Sequence, residues 1–402
     1  MGDVGLGDLA DDVLWLIFGL CDLETLLSLE SVSCRCKNAS RLMTHGSGNP
    51  AWRRAHRDEI QLDKWMRSAH RACKCERPSQ DKQSAQAWCD GVRSVDLAGG
   101  WIAAAGGQAS SKAHLWRLAS YGSCRSLQFF SHDDDVGCVA IRPDGRQLAT
   151  ACRGGGLYLW SLDGATNSCR TAEPLAWALP EHDGDVFALT WIDVDTLLSG
   201  GTDRMLRCWC VKTHTLLSEQ RGSLAVAALA CDVDGWVASA QRDNSIALLS
   251  GKRGPDMLTV HKRLVGHTKP VLAVAIGGGR VASGGCGGGI RLWDVTSGQC
   301  TALLASPTTY ALGLHGRGML VSGGCGETCV RVWQLKDAVS GREVGGDDLS
   351  TPSATASGRV VARLNRPEGG GGSPCALALD GDRVVSGDSA VGVPICWVVS
   401  DV

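Results

Sequence analysis

Neither sign of charge dominates this sequence, and it has no long apolar run. Forty Lys and Arg stand against 42 Asp and Glu, a net charge of −2. That balance gives no argument for nucleic acid or a membrane surface as partner. No uninterrupted apolar stretch approaches the ~20 residues needed to span a bilayer. Asp3, Asp8, Asp11 and Asp12 sit where a positive leader region would be required, so no signal peptide is expected. Motifs for bond chemistry are also missing. No G-x-x-x-x-G-K-S/T occurs, and the glycine runs "GGCGGG" and "EGGGGSP" fall between strands with no following helix, as turns or loops. H-E-x-x-H and G-x-S-x-G are absent, and "HDDD" lacks the spacing of a calcium loop.

Cysteine is plentiful, but the placement argues against a framework. The 19 cysteines are odd in number, and the close pairs Cys34/Cys36, Cys73/Cys75 and Cys208/Cys210 are C-x-C. No two C-x-x-C pairs face each other at zinc-site spacing. Cys138, Cys208, Cys231, Cys329 and Cys396 fall inside predicted strands. Reduced core thiols in a cytoplasmic and/or nuclear protein, with no metal or cofactor, are therefore expected.

What the chain does have is a recurring phrase. It runs through Ser-Gly-Gly or a relative of it to a short strand ending in Trp116, Trp160, Trp209, Trp293, Trp333 or Trp397, and Leu249 ends a seventh copy. Most gaps between copies are 40 to 49 residues, the length of one four-stranded propeller blade. From Val92 onward the apolar residues alternate with period two, as in "DVFALTWIDVDTLLSGGTDRMLRCW". The chain runs out just past the third strand of the last blade, so the fourth is expected from elsewhere, most simply from residues 82–90. The polar, Gly- and Ser-rich stretch at about 336–358 is expected to be a flexible insertion.

The opening is different. Val13, Leu16, Ile17 and Leu20 repeat at helical spacing behind Asp11 and Asp12, and Asp22 offers a cap for a second helix carrying Leu23, Leu26, Leu27 and Leu29. A third helix is expected over Ser31 to Leu42. Three short helices bury little alone, so their leucines require a partner. Pro50 to about Cys73 again reads helical. The resulting division is a tail (1–8), a helical module (9–54), a helical spacer (55–84) and a propeller (85–402).

Two resemblances follow from these residues. Residues 9–54 resemble an F-box, with Leu9, Ile17, Leu20, Leu26, Leu27, Val32, Arg35 and Trp52 on its positions, and with Ala10 and Cys36 departing from it. Residues 85–402 resemble WD-repeat propellers. His182, Ser199, Asp203 and Trp209 match that family's structural tetrad; blades 2 and 5 keep His132, Thr150, Trp160 and His267, Ser283, Trp293, while blade 4 keeps only Ser239 and Asp243. These histidines read as scaffold residues, since a buried imidazole and indole both need partners. The resemblance implies a mainly β protein: a seven-bladed WD-repeat β-propeller preceded by a small α-helical F-box and a spacer. It further implies a substrate-recognition adaptor of an SCF-type ubiquitin ligase. The F-box would bind the ligase adaptor subunit and, through it, cullin, and the propeller would hold a protein substrate, with no catalysis by this chain. The alternative is a WD-repeat scaffold outside the ubiquitin system. By the same resemblance the substrate face carries Arg153, Phe187, Thr202, Arg242, Lys269 and Tyr310. Arg153 and Arg242 suit an anionic group, although Asp133, Asp134 and Asp135 crowd the loop near Arg153.

Overall fold

A computed structural model describes residues 72–74, 91–106, 111–118, 124–162, 182–252, 254, 257–287, 289–315, 318–325, 329–335, 358–365, 372–380, 383–389 and 394–398. The chain divides into two compact units, Arg71–Val398 and a second made of Met1–His70 with Val399–Val402. All described residues belong to the first. The helices and F-box positions expected over 9–54, and the insertion expected at 336–358, lie outside the described residues.

Alternation of apolar residues with Gly-rich turns produces seven antiparallel sheets, six of four strands and one of three described strands. The first strands of the blades, Val92–Ala98, Val136–Ile141, Val186–Asp193, Val226–Cys231, Val271–Gly277, Thr309–His315 and Pro374–Asp380, pack each on the next, and the seventh packs on the first. The molecule is mainly β, a closed seven-bladed propeller around a central channel. Blade 7 is completed by Ala72–Lys74, which pairs with Ile395–Val398 in the register Ala72↔Trp397, Cys73↔Cys396, Lys74↔Ile395. This corrects the expectation that residues 82–90 close the ring. It also places a strand inside the stretch assigned to a helical spacer.

The hydrophobic core lies between blades. Five of the tryptophans at the ends of third strands, Trp116, Trp160, Trp209, Trp293 and Trp333, plug into the face of the preceding blade. Trp160 packs with Leu115 and Phe130 of blade 1, Trp209 with Ala149 and Leu159 of blade 2, and Trp116 with Val385 and Cys396 of blade 7. Trp116, Trp160, Trp209, Trp293 and Trp397 are all fully buried. Removing that much indole surface from water contributes roughly 4–6 kcal/mol per residue. Blade 4 lacks the indole, and Met257 and Leu258 from the loop after its third strand fill the space beside Leu249. Leu258 holds a φ of 61° to do so, a strained conformation for this residue.

The Ser-Gly-Gly phrase has a double steric explanation. A Cβ on the first glycine would meet the next blade's first strand: 2.7 Å from Val226 for Gly200, and 2.8 Å from Thr309 for Gly284. A Cβ on the second would meet the carbonyl just ahead of its own blade's first strand, 2.2 Å from Asp185 O for Gly201 and 1.9 Å from Thr308 O for Gly324. One glycine lets blades approach, and the other lets the innermost hairpin close.

Side chains also tie neighbouring first strands to each other. Ser94 Oγ and Asp96 Oδ2 accept hydrogen bonds from the Val139 and Ile141 amides at 3.2 and 2.6 Å. Trp191 Nε1 donates to the Ala140 carbonyl at 3.0 Å. The Cys231 and Cys375 thiols donate to the Trp191 and Val92 carbonyls at 2.7 and 2.8 Å. Cys138, Cys152, Cys208 and Cys396 are buried and stand outside any disulfide.

Candidate functional site

The first strand of every blade begins with a register shift that leaves one residue unpaired. These residues are Arg93, Gly137, Phe187, Ala227, Leu272, Tyr310 and Cys375. A bulge twists its strand and re-aims the extra side chain, and here all seven line the central channel of about 1060 Å³. A second ring surrounds them on the same face. In each case an amide after the second strand donates to the carbonyl before the first: Arg153 to Asp135, Thr202 to Asp185, Arg242 to Ala225, Cys286 to Pro270, Cys325 to Thr308 and Ser389 to Ser373, at 2.8 to 3.2 Å.

At this mouth the side chains are distinctive. The Arg242 guanidinium stacks over the Phe187 ring, 5.3 Å from its centroid, a cation–π arrangement. Tyr310 is 39% exposed. Burial, followed by the neighbouring thiols of Cys325 and Cys286, pushes its hydroxyl pKa up. Arg93 and Arg242 both line the channel and have no acid partner among the described residues. The other end of the channel carries Asp96 and Asp380. Burial raises the Asp96 carboxyl to about 6 against the opposing pull of the Ile141 and Leu97 amides, and Asp380 adds to the rise. Within the channel lining, the arginines thus stand at the bulge end and the two carboxyls at the far ends of their strands.

Of the six residues expected on the substrate face, the channel gathers Phe187, Arg242 and Tyr310. Arg153 instead lies 3.6 Å from Asp135 in an ion pair, while Thr202 and Lys269 are exposed on loops outside the channel lining. The sequence reading missed Arg93. Its signal was present, since "VRSV" in blade 1 parallels "VFAL" and "VLAV" in blades 3 and 5. Leu9, Ile17, Leu20, Leu26, Leu27 and Val32, expected to bind an adaptor, lie outside the described residues.

The histidines behind this face are committed to the scaffold. His182 Nδ1 bonds Asp203 at 2.9 Å, its Nε2 bonds Ser199 Oγ at 2.7 Å, and Trp209 Nε1 donates to the same oxygen at 2.9 Å. Burial lowers the His182 pKa against the pull of Asp203. Burial alone would raise Asp203, but the Met205 amide, His182 and Arg207 hold it below the usual carboxylate range. His132 bonds Thr150 and His267 bonds Ser283, both at 2.7 Å, beside the corresponding indole bonds at 2.8 Å. Burial takes both imidazoles down to about 4. In blade 4, Gly222 and Leu249 stand in the ring positions, and Asp243 accepts from Ser223 and Ser245 instead.

Comparison with known proteins places the WD domain, G-beta repeat, on residues 123–161, 174–210 and 258–294. These segments end with the third strands of blades 2, 3 and 5, the blades that keep both imidazole and indole. The chain is 28% identical over 252 residues to a ribosome biogenesis protein WDR12 homolog of Chlamydomonas reinhardtii, covering 52% of this chain and 56% of that protein. It is 31% identical over 183 residues to WD repeat-containing protein 1 of Gallus gallus, covering 42% and 28%. Telomerase protein component 1 of Rattus norvegicus is 28% identical over 232 residues, covering 54% and 8%. The chain therefore spans little more than half of the first of these proteins and less of the others. Repeats, sheets and register together make this chain a seven-bladed β-propeller built on WD40 repeats.

Proposed function

We propose that the propeller is a non-catalytic protein-interaction module that grips its partner at the bulge-lined mouth of the channel. The observation that carries this is the juxtaposition of Arg242 stacked on Phe187 with half-open Tyr310 and acid-free Arg93 on one rim. Arginine and aromatic side chains in a partly buried setting are the residues that dominate protein interfaces. His132, His182 and His267 are held in structural bonds, so the histidines behind this rim serve as braces and leave recognition to the mouth. Affinity purification of the full chain and of Phe187→Ala/Arg242→Ala, with mass spectrometry, tests the reading. Partners should be lost from the variant while its thermal unfolding stays unchanged, and an identical partner list from both proteins would refute a role for the mouth.

The finer reading is adaptor work in a ubiquitin ligase, and what supports it is the leucine spacing of residues 9–54. On that reading the N-terminal module binds the ligase adaptor subunit and cullin, and the propeller holds the protein to be ubiquitinated. Ile17→Asp/Leu26→Asp should abolish adaptor capture while sparing partners held at the mouth. The likeness to a protein named for ribosome biogenesis supports the broader alternative, a WD-repeat scaffold outside the ubiquitin system. In that case the same substitutions leave the captured set unchanged.

A further inference from the structure

The bulge face carries its charges unevenly. Blades 2 and 3 present Asp133, Asp134, Asp183 and Asp185 on the loops entering their first strands. Across the seam between blades 3 and 4 the sign reverses. Arg204, in the turn after the second strand of blade 3, is exposed, and its carbonyl accepts the Gly222 amide at 2.7 Å. That contact sets it beside Arg221, whose neighbour across the ladder is Met205. Arg221 and Arg263 line the same small cavity. Arg263 lies 3.8 Å from Asp243, next to Arg242 at the channel mouth. The four arginines form a continuous ridge from the outer edge to the mouth, and all four are exposed.

Little on the ridge neutralises them. Among the described residues, Asp243 is the one carboxylate in an ion pair with a ridge arginine, and it also accepts bonds from Ser223 and Ser245. Asp203 is held by His182 and Arg207, and Glu219 lies 3.5 Å from Arg207. Among the described residues, the side chains of Arg204, Arg221 and Arg242 have no acid partner. Four positive charges against one is a strong local field on a chain whose net charge is −2. Leu224 adds an apolar contact beside the ridge, 45% exposed on the loop that follows Arg221.

We propose that this ridge docks an extended acidic segment of a partner protein, laid along the seam of blades 3 and 4 and ending at Arg242. The proposal rests on the reading that the bulge face binds protein, and it names the chemistry of the partner. Arginines spaced along a line suit carboxylates presented at successive positions, each open to a bidentate bond. A long nucleic acid fits less well. A duplex laid on this face would also meet the aspartates of blades 2 and 3, whereas a short peptide avoids them.

The test uses the full chain with a fluorescein-labelled twelve-residue peptide rich in Glu and Asp with one Leu, read by fluorescence anisotropy. A twelve-nucleotide oligothymidylate is the competing probe. The peptide should bind the native protein, and the affinity should fall roughly tenfold as salt rises from low to above physiological ionic strength. Arg204→Glu/Arg221→Glu should weaken it at least tenfold further. Arg142→Glu, which breaks an ion pair with Asp144 outside the ridge, should leave peptide binding unchanged. No binding by the native protein, equal binding by the double variant, or an oligonucleotide that binds as tightly as the peptide would each overturn the proposal. If Phe187→Ala/Arg242→Ala loses its captured partners but Arg204→Glu/Arg221→Glu keeps them, the mouth stands and the ridge falls.

Discussion

Ser199 and Ser239 occupy equivalent places in adjacent blades and have different chemistry. Ser199 Oγ serves both an imidazole and an indole, whereas the buried Ser239 Oγ has no hydrogen-bond partner among the described residues. Removing a hydroxyl that satisfies two buried groups strands both, at about 1–3 kcal/mol each, but removing one with no protein partner strands nothing. Ser199→Ala should therefore lower stability by roughly 2–6 kcal/mol in chemical denaturation, and Ser239→Ala by less than about 1. Equal losses would mean that the tetrad contributes no more than its packing. The sequence made this contrast readable, because the lost His and Trp of blade 4 show as Gly222 and Leu249. What could not be read is the repair. Nothing in "GKRGPDML" marks Met257 and Leu258 as core, since a leucine at positive φ follows from the cavity it fills and carries no local pattern.

At the scale of strands, the inner three of each blade were legible because their alternation is strong and their turns contain glycine. The closing strand was not. Ala72–Lys74 is three residues long, too short for any period, and what makes it a strand is the free edge of Ile395–Val398. An edge left unpaired is a template for association. Compared with a chain lacking residues 1–71, one lacking residues 1–75 should melt several degrees lower and self-associate on size-exclusion chromatography. The bulges illustrate the same division. Ser-Gly-Gly is visible in the sequence, but its steric cause, the approach of a bulged strand to the second glycine, appears only with the register.

For the whole molecule the buried ionisable groups set the response to acid. Burial takes His132 and His267 from 6.5 to about 4 and His114 to about 3, and lowers His182 as well. The unfolded chain then binds more protons between those values, and stability drops as pH falls through that window. From pH 7 to pH 5 the loss is about 2 kcal/mol for each of His114, His132 and His267. Asp96 acts in the opposite direction. Its pKa rises from 3.8 to about 6, so the folded state gains protons first, and acidification to pH 5 returns about 1.4 kcal/mol. The histidines prevail, and urea unfolding should show a net loss of more than about 4 kcal/mol over that range. His267→Gln should flatten the profile and Asp96→Asn should steepen it. A profile that is flat in the native protein would mean that these imidazoles accept protons without leaving their bonds.

The repeat matched at 123–161 opens on Cys124–Ser131, the outer strand of blade 1, before supplying the inner strands of blade 2. Sequence unit and sheet are thus out of step by one strand, and they overlap like roof shingles. No single unit detaches without stripping its predecessor, so damage anywhere on the rim is shared around the disc. The ring is therefore built to give way all together, or to hold.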